Sequence, residues 1–183
     1  HRALMYFATW TGRSGSDPKM RNRPIDMTRF RFSNYVREIF FDSETDVVGL
    51  SGAPFSTGVS LPNSDLFGAV DAINELAGGR GKLAHGYYLV NPMLEGWREK
   101  CVQDMRLMKP SGWKLFPMGE PMSPHGMPWR LDDKELIYPF YELASKLGIK
   151  NICIHKGLVR EEYEKKYPEY WRSAQVDDLK QAA

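Results

Sequence analysis

The residues best suited to chemistry lie in the stretch GIKNICIHKGL, at positions 148–158. Its apolar, β-branched run at 152–154 is typical of a buried strand and ends at His155 and Lys156. In parallel α/β folds, binding sites lie at the carboxyl ends of strands. A neutral imidazole placed there can bind a divalent cation or act as a general base near neutral pH. It can equally be a histidine satisfied by a backbone carbonyl at the edge of the core.

Two cations stand at or near other strand ends. Lys114 lies inside the short apolar run GWKLFP (112–117), where a charged side chain is costly unless it is paired. It can hold an anionic substrate group, pair with a carboxylate or, if carbamylated, become a bridging ligand. Alternatively, its stem carries the ammonium to the surface. Arg130 is a candidate clamp for a substrate carboxylate, although an ordinary salt bridge to the helix-capping pair Asp132 and Asp133 fits the same sequence.

The remaining histidines and the cysteines suggest structural roles. His85 lies in the middle of a strand pattern, which favours a role in the fold over one in a site. His125 lies in the Met- and Pro-rich loop 117–131, where it is either solvated or part of a lid over the site. Cys101 and Cys153 both sit in apolar settings, so we expect two reduced core thiols.

Short apolar runs alternate with amphipathic helical patterns along most of the chain. The predicted strands are 46–52, 83–90, 112–117 and 151–155, and the predicted helices are 34–41, 61–79, 93–109, 132–148 and 173–183. Asp132 and Glu135 have the capping-box spacing, while Pro139 predicts a kink or a broken first turn. This alternation predicts α/β architecture with a parallel sheet.

Two arrangements of a parallel sheet fit this pattern, a doubly wound sheet and a (β/α)₈ barrel. The segment SGAPFSTG after the first strand has neither the dinucleotide-binding nor the P-loop spacing. That weakens the nucleotide-binding form of the doubly wound sheet. A barrel takes ~250 residues, so four strands would represent about half of one. We divide the chain into an irregular segment, 1–33, and a partial barrel domain, 34–183.

Composition excludes several classes of protein. The chain has 183 residues, 42% of them hydrophobic and 26% charged, and a net charge of +2, as expected of a globular domain. The basic residues are dispersed, which argues against nucleic-acid binding, and no apolar run approaches the ~18 residues of a membrane span. We therefore expect a cytoplasmic protein with neither nucleic-acid nor membrane partners. Because it begins with His1, it is either processed at its amino terminus or a piece of something longer.

Several stretches together resemble a known family. DVVGLSGAP, LAHGYYLVNP, GWKLFPMGEP, CIHKG and WRSAQVDDLKQAA resemble the metal-dependent hydrolases of the amidohydrolase superfamily. The nearest branch is the one that includes aminocarboxymuconate-semialdehyde decarboxylase. The resemblance covers the chain from about residue 34 to its end. It depends on the order and spacing of the stretches, and CIHKG is the most telling of them.

The resemblance implies a (β/α)₈ TIM barrel that holds one or two divalent cations, commonly zinc. His155 matches the histidine that ends the fifth strand and would be a metal ligand. Lys114 falls on the fourth strand, where some members carry a carbamylated lysine, although this branch usually does not. The His-x-His pair that closes the first strand of the family is absent from this sequence. We therefore expect a partial barrel of about strands two to five, inactive alone.

In the intact protein, the resemblance implies an enzyme that hydrolyses C–N or C–O bonds or decarboxylates a small carboxylate substrate without oxidation. Lys114 and Arg130 are the candidates for holding the anionic group of that small molecule. The family likeness also implies a homodimer. The alternative is a non-catalytic, barrel-derived α/β module that binds a partner.

Overall fold

A parallel sheet is the centre of the computed structural model, which describes residues 31–53, 61–118, 127–157 and 161–182. Its strands are β1 (Val48–Ser51), β2 (Ala84–Leu89), β3 (Gly112–Leu115) and β4 (Ile152–Ile154). Neighbouring strands are parallel, and their order in the sheet is β1-β2-β3-β4. The predicted α/β class and all four predicted strands are therefore confirmed. Most of the predicted irregular segment and His125 lie outside the described residues.

The helices follow the strands in the predicted alternation. They are α1 (Phe32–Phe40), α2 (Asn63–Leu76), α3 (Trp97–Met108), α4 (Tyr138–Lys146), α5 (Glu161–Lys166), α6 (Pro168–Ala174) and α7 (Leu179–Ala182). The first begins two residues before the predicted start at position 34. The single helix predicted over 173–183 is wrong, because α6 ends at Ala174 and a turn separates it from α7. None of the described helices has both the length and the apolar character needed to cross a membrane.

Helix α4 begins six residues later than the sequence predicts. Its first residue is Tyr138, and Pro139 occupies the first turn, where a missing N–H costs nothing. The predicted cap at Asp132 is wrong. Instead, the carboxylate of Asp133 accepts the backbone N–H groups of Glu135 and Leu136 in the turn that precedes the helix. The broken first turn predicted from the proline is confirmed.

The core lies on one side of the sheet. Right-handed connections between strands in consecutive order place the helices on the same side, and burial alternates accordingly along β2. Trp113, Leu115 and Phe140 are fully buried in the layer between sheet and helices. Gly86 permits the closest approach in this layer, because a Cβ atom there would overlap the Phe67 ring of α2. The alternate residues of each strand point to the opposite side of the sheet.

Candidate functional site

The side of the sheet away from the helices carries the residues that could do chemistry. We call it the open face. Because side chains alternate along a strand, it is formed by Gly49 and Ser51 on β1, His85, Tyr87 and Leu89 on β2, Lys114 and Phe116 on and after β3, and Cys153 and His155 on and after β4. The strands are parallel, so their carboxyl ends meet along one edge of this face.

His155 stands at that edge, at the end of β4. Its backbone N–H donates to the carbonyl of Leu115 at 3.0 Å, which continues the ladder one step beyond the strand. Its ring stacks on Phe116, with centroids 4.3 Å apart and planes inclined by 22°. Burial lowers the pKa of the imidazole, and the positive charge of Lys114 lowers it further. His155 is therefore held towards its neutral form, which is the form that binds a cation or accepts a proton.

Lys114 and Cys153 lie side by side one step below His155 on the open face. They are direct partners in the β3–β4 register, and the Nζ atom of Lys114 donates to the Sγ atom of Cys153 at 3.4 Å. The expectation that Cys153 is a core thiol is wrong, because Cys153 is exposed. The apolar neighbours Ile152 and Ile154 point to the helices, so alternation places the residue between them on the other face.

The other predicted core thiol is confirmed. Cys101 is buried between α3 and the sheet. Burial raises the pKa of its thiol to about 12, with a further contribution from the negative charge of Asp104. Both cysteines of the chain are free.

His85 occupies the opposite end of the open face. Its Nδ1 atom lies 2.9 Å from the hydroxyl oxygen of Ser111, the residue before β3. This side-chain hydrogen bond agrees with the structural role that the sequence favours. His85 and His155 therefore stand at different ends of the sheet and do not form a pair.

Arg130 lies in a network of ion pairs away from the open face. Its Nε atom contacts Asp132 at 3.0 Å and its Nη2 atom contacts Asp177 at 3.1 Å, while Nη1 donates to the carbonyl of Arg172 at 3.3 Å. Hydrogen bonding to Asp132 raises the pKa of the guanidinium and lowers the pKa of that carboxyl. This arrangement contains the salt bridge to Asp132 expected from the sequence. The role of Arg130 as a substrate clamp stays a prediction.

Lys156 turns to the helix side, opposite to His155. Its Nζ atom lies 2.7 Å from a carboxylate oxygen of Asp178 and 2.6 Å from the carbonyl of Ser173. The same Asp178 oxygen accepts the backbone N–H of Leu131 at 2.9 Å. The Lys156 side chain is 7% exposed and that of Asp178 is fully buried. The imidazole and the ammonium that follow β4 therefore lie on opposite faces of the sheet, His155 on the open face and Lys156 on the helix side.

Sequence reasoning missed Asp178, because its neighbourhood, VDDLK, reads as the polar face of a helix. The only indication in the sequence is that successive side chains point to opposite faces at the end of β4. A lysine next to an open-face histidine must point to the helix side, where a buried ammonium requires a carboxylate partner.

The described residues offer a metal ion one imidazole at the carboxyl edge of the open face. Across the described ranges, no group of three or more His, Cys, Asp or Glu side chains could hold a metal ion. Zinc in proteins takes about three protein ligands and a water in catalytic sites. His155 therefore fits one ligand position, and a complete zinc site would need ligands from outside these ranges.

We compared the chain with protein-family models, curated proteins and solved structures, and nothing matched in any of the three. The geometry of the open face places an imidazole, an ammonium and a thiol next to one another on two neighbouring strands. Such a set can bind a cation through the imidazole and an anion through the ammonium.

Proposed function

We propose that this chain forms part of the active site of a metal-dependent enzyme of the amidohydrolase type. In this proposal, β1 to β4 are about the second to fifth strands of a (β/α)₈ barrel, and the open face is directed to the barrel interior. The observation that carries the proposal is the position of His155, an imidazole with a lowered pKa at the carboxyl end of a parallel strand. Active sites of such barrels lie at this end of the strands.

The order of the strands supports a barrel over a doubly wound sheet. Consecutive strands are neighbours throughout the described sheet, whereas a doubly wound sheet reverses its strand order at a switch point. The described helices pack on one side of the sheet and polar side chains lie on the other, which is also the arrangement of a barrel wall. The polar residues Lys114 and His155 would then line the interior near its mouth.

His155 would be one ligand of a divalent cation, most naturally zinc. When bound, such a cation lowers the pKa of its water to ~7 and polarises a substrate carbonyl or carboxylate. The Phe116 ring stacks on the imidazole, and partial burial lowers the pKa of the imidazole, which favours the form that binds a cation. Lys114, one step below, would hold the anionic group of a small carboxylate substrate. Arg130 remains a weaker candidate for that task, since Asp132 and Asp177 already balance its charge.

The reaction would be hydrolysis of a C–N or C–O bond or a non-oxidative decarboxylation. A cytoplasmic location and a homodimer remain predictions that accompany this proposal. A second candidate, a non-catalytic barrel-derived module, is favoured by one observation. Within the described ranges, His155 is not joined by further His, Cys, Asp or Glu side chains in a group of three or more that could hold a metal ion.

Metal analysis separates the two candidates. The protein is produced with any residues that its gene encodes on either side of 1–183, and its metal content is measured by plasma mass spectrometry. His155→Ala should weaken zinc binding at least about tenfold and so lower the metal content, because loss of a ligand should cost no less than loss of a group that only orients one. His85→Ala is the matched control, since it removes an imidazole from the other end of the same face. Unchanged metal content and activity in His155→Ala would sink the enzyme proposal and favour the binding module.

A further inference from the structure

His155 belongs to a stretch of backbone that is held from two directions. Its own N–H donates to the carbonyl of Leu115 on β3 at 3.0 Å, and the N–H of Gly157 donates to the carbonyl of Ala174 at the end of α6 at 2.7 Å. Gly157 has a φ of +73°, in the left-handed region that glycine adopts readily. The chain therefore turns away from the sheet soon after the imidazole, and the turn is bound to the end of α6.

The side chain of Lys156 adds a further attachment to this stretch. Its Nζ atom contacts the Ser173 carbonyl at 2.6 Å and a carboxylate oxygen of Asp178 at 2.7 Å. Asp178 is fully buried, and the same oxygen accepts the backbone N–H of Leu131 at 2.9 Å. Charge-assisted hydrogen bonds are shorter and stronger than neutral ones. The carboxylate therefore fixes where the Lys156 side chain lies, and with it the adjoining backbone.

The position of Lys156 decides where the imidazole points. Successive side chains of extended backbone point to opposite faces of a sheet. Because Lys156 is held on the helix side, His155 is directed to the open face, where its ring stacks on Phe116 with centroids 4.3 Å apart. A rotation of this backbone that released Lys156 would also move the imidazole off the Phe116 ring.

We propose that Asp178 is a positioning residue for His155 and acts through Lys156. The carboxylate works from the helix side of the sheet, where it fixes the backbone from which the imidazole projects. The inference deepens the proposed function and rests on it, because a metal ligand binds well only when neighbouring groups hold it in the required orientation.

The stacking of His155 on Phe116 provides a signal that reports the position of the imidazole. Protons of a ring that lies on an aromatic face have their resonances displaced upfield by the ring current of that face. The protein, with any residues that its gene encodes on either side of 1–183, is labelled with isotopic histidine and studied by NMR in the presence of a chelator. His155→Gln assigns the resonances, and Phe116→Leu gives their position without the aromatic ring.

Asp178→Ala should abolish most of the upfield displacement, because the Lys156 ammonium loses the contact that holds it. Asp178→Asn should keep most of it. The amide oxygen can accept the same hydrogen bonds, and the amide nitrogen can replace Oδ1, which has no hydrogen-bond partner among the described residues. Both variants lose the ion pair, so a purely stabilising role would not separate them. Asp177→Ala is the matched control, because it removes the neighbouring carboxylate, which pairs with Arg130, and should leave the displacement unchanged.

A second variant decides the matter if Asp178→Ala fails to fold. Lys156→Met/Asp178→Leu replaces the buried pair by apolar side chains, whose contacts have no preferred direction. The folded double variant should also lose the displacement. The inference would be overturned by a displacement that persists in Asp178→Ala or in the double variant. It would be overturned equally by a loss in Asp178→Asn as large as in Asp178→Ala, or by a loss in Asp177→Ala.

These outcomes are distinct from a failure of the proposed function. The ring position is measured without metal, whereas the metal content of His155→Ala tests the proposed function. If His155 is a ligand, Asp178→Ala should also weaken zinc binding by about tenfold, as loss of a residue that orients a ligand does. Unchanged zinc affinity in that variant, where His155→Ala lowers it, would overturn the inference about Asp178 alone.

Discussion

Lys114 and Lys156 differ in almost every respect, although neighbouring strands carry them. Lys156 is on the helix side, where its largely buried ammonium contacts Asp178 and the Ser173 carbonyl. Lys114 is on the open face, partly exposed, and its contact is the sulfur of Cys153. The first lysine is fully committed to the fold. The second forms no ion pair with a described carboxylate.

The difference shows that the two faces of a parallel sheet covered by helices on one side place different demands on polar side chains. Polar groups on the helix-covered face have little access to water and mostly pair internally, although one buried oxygen, Oδ1 of Asp178, has no hydrogen-bond partner among the described residues. A single buried carboxylate, Asp178, accordingly joins Lys156 at the end of β4 to Leu131 in the loop before α4. On the open face, polar groups can be satisfied by solvent or by a ligand. The functional candidates are therefore expected on that face.

The largest expected effect compares the two lysines directly. Lys156→Met should lower the free energy of unfolding by about 3–5 kcal/mol, because it leaves the Asp178 carboxylate buried without its cation. Lys114→Met, the matched control, should change it by no more than about 0.5 kcal/mol. Denaturation in guanidinium chloride measures both. Equal losses in the two variants would erase the distinction between the faces.

A second variant sharpens this result. In Lys156→Met/Asp178→Leu, both members of the buried pair are replaced by apolar side chains. Most of the lost stability should return, since an apolar pair of similar volume often matches a buried ion pair. A double variant as unstable as the single one would show that the Ser173 and Leu131 contacts, and not the ion pair, hold this region.

Glycines on the two faces provide an intermediate effect. Gly86→Ala should cost about 1–3 kcal/mol, because the new methyl group overlaps the Phe67 ring in the packed layer. Gly49→Ala, on the open face, places its Cβ atom 3.3 Å from Cε2 of Tyr87, a partly exposed ring that can move aside. It should cost less than half as much in the same denaturation experiment. The reverse order would mean that the open face is as tightly packed as the core.

The smallest effect concerns pH. Burial lowers the pKa of His155 in the folded chain below its ordinary value of ~6.5, so the unfolded chain binds the proton more readily. The stability that this group contributes is complete above about pH 6.5 and is lost as the pH falls towards its folded pKa. Below about pH 6.5, unfolding of the wild type should therefore depend more steeply on pH than that of His155→Gln. Identical slopes would contradict partial burial of the ring.

Periodicity and turn residues predicted most of the fold. The apolar runs around Val48, Tyr88, Trp113 and Ile154 all became strands, because parallel strands with a covered face select such residues. The helix predicted to start at Asp132 starts at Tyr138, and the broken first turn expected from Pro139 was the better guide, since a proline ring restricts the helix more severely than a favourable cap promotes it. Local rules of this kind need no knowledge of distant contacts.

The candidate site was predicted less completely. The apolar runs located His155 at the end of one strand and Lys114 within another, but the sequence could not show that Phe116 stacks on the imidazole or that Cys153 is exposed. Both features depend on the β3–β4 register, which is a long-range property. Asp178 was missed for the same reason, because its partners Lys156 and Leu131 are distant in sequence.

By itself, the sequence determined the alternation of strands and helices and the types of residue at the strand ends, because hydrophobic period and backbone restriction act within a few residues. Only the tertiary structure decided which side chains meet. It directed Lys156 inwards to Asp178 and Lys114 outwards beside Cys153 and His155. Strand pairing and helix packing made that choice, since one face of the sheet had to be sealed from water and the other did not.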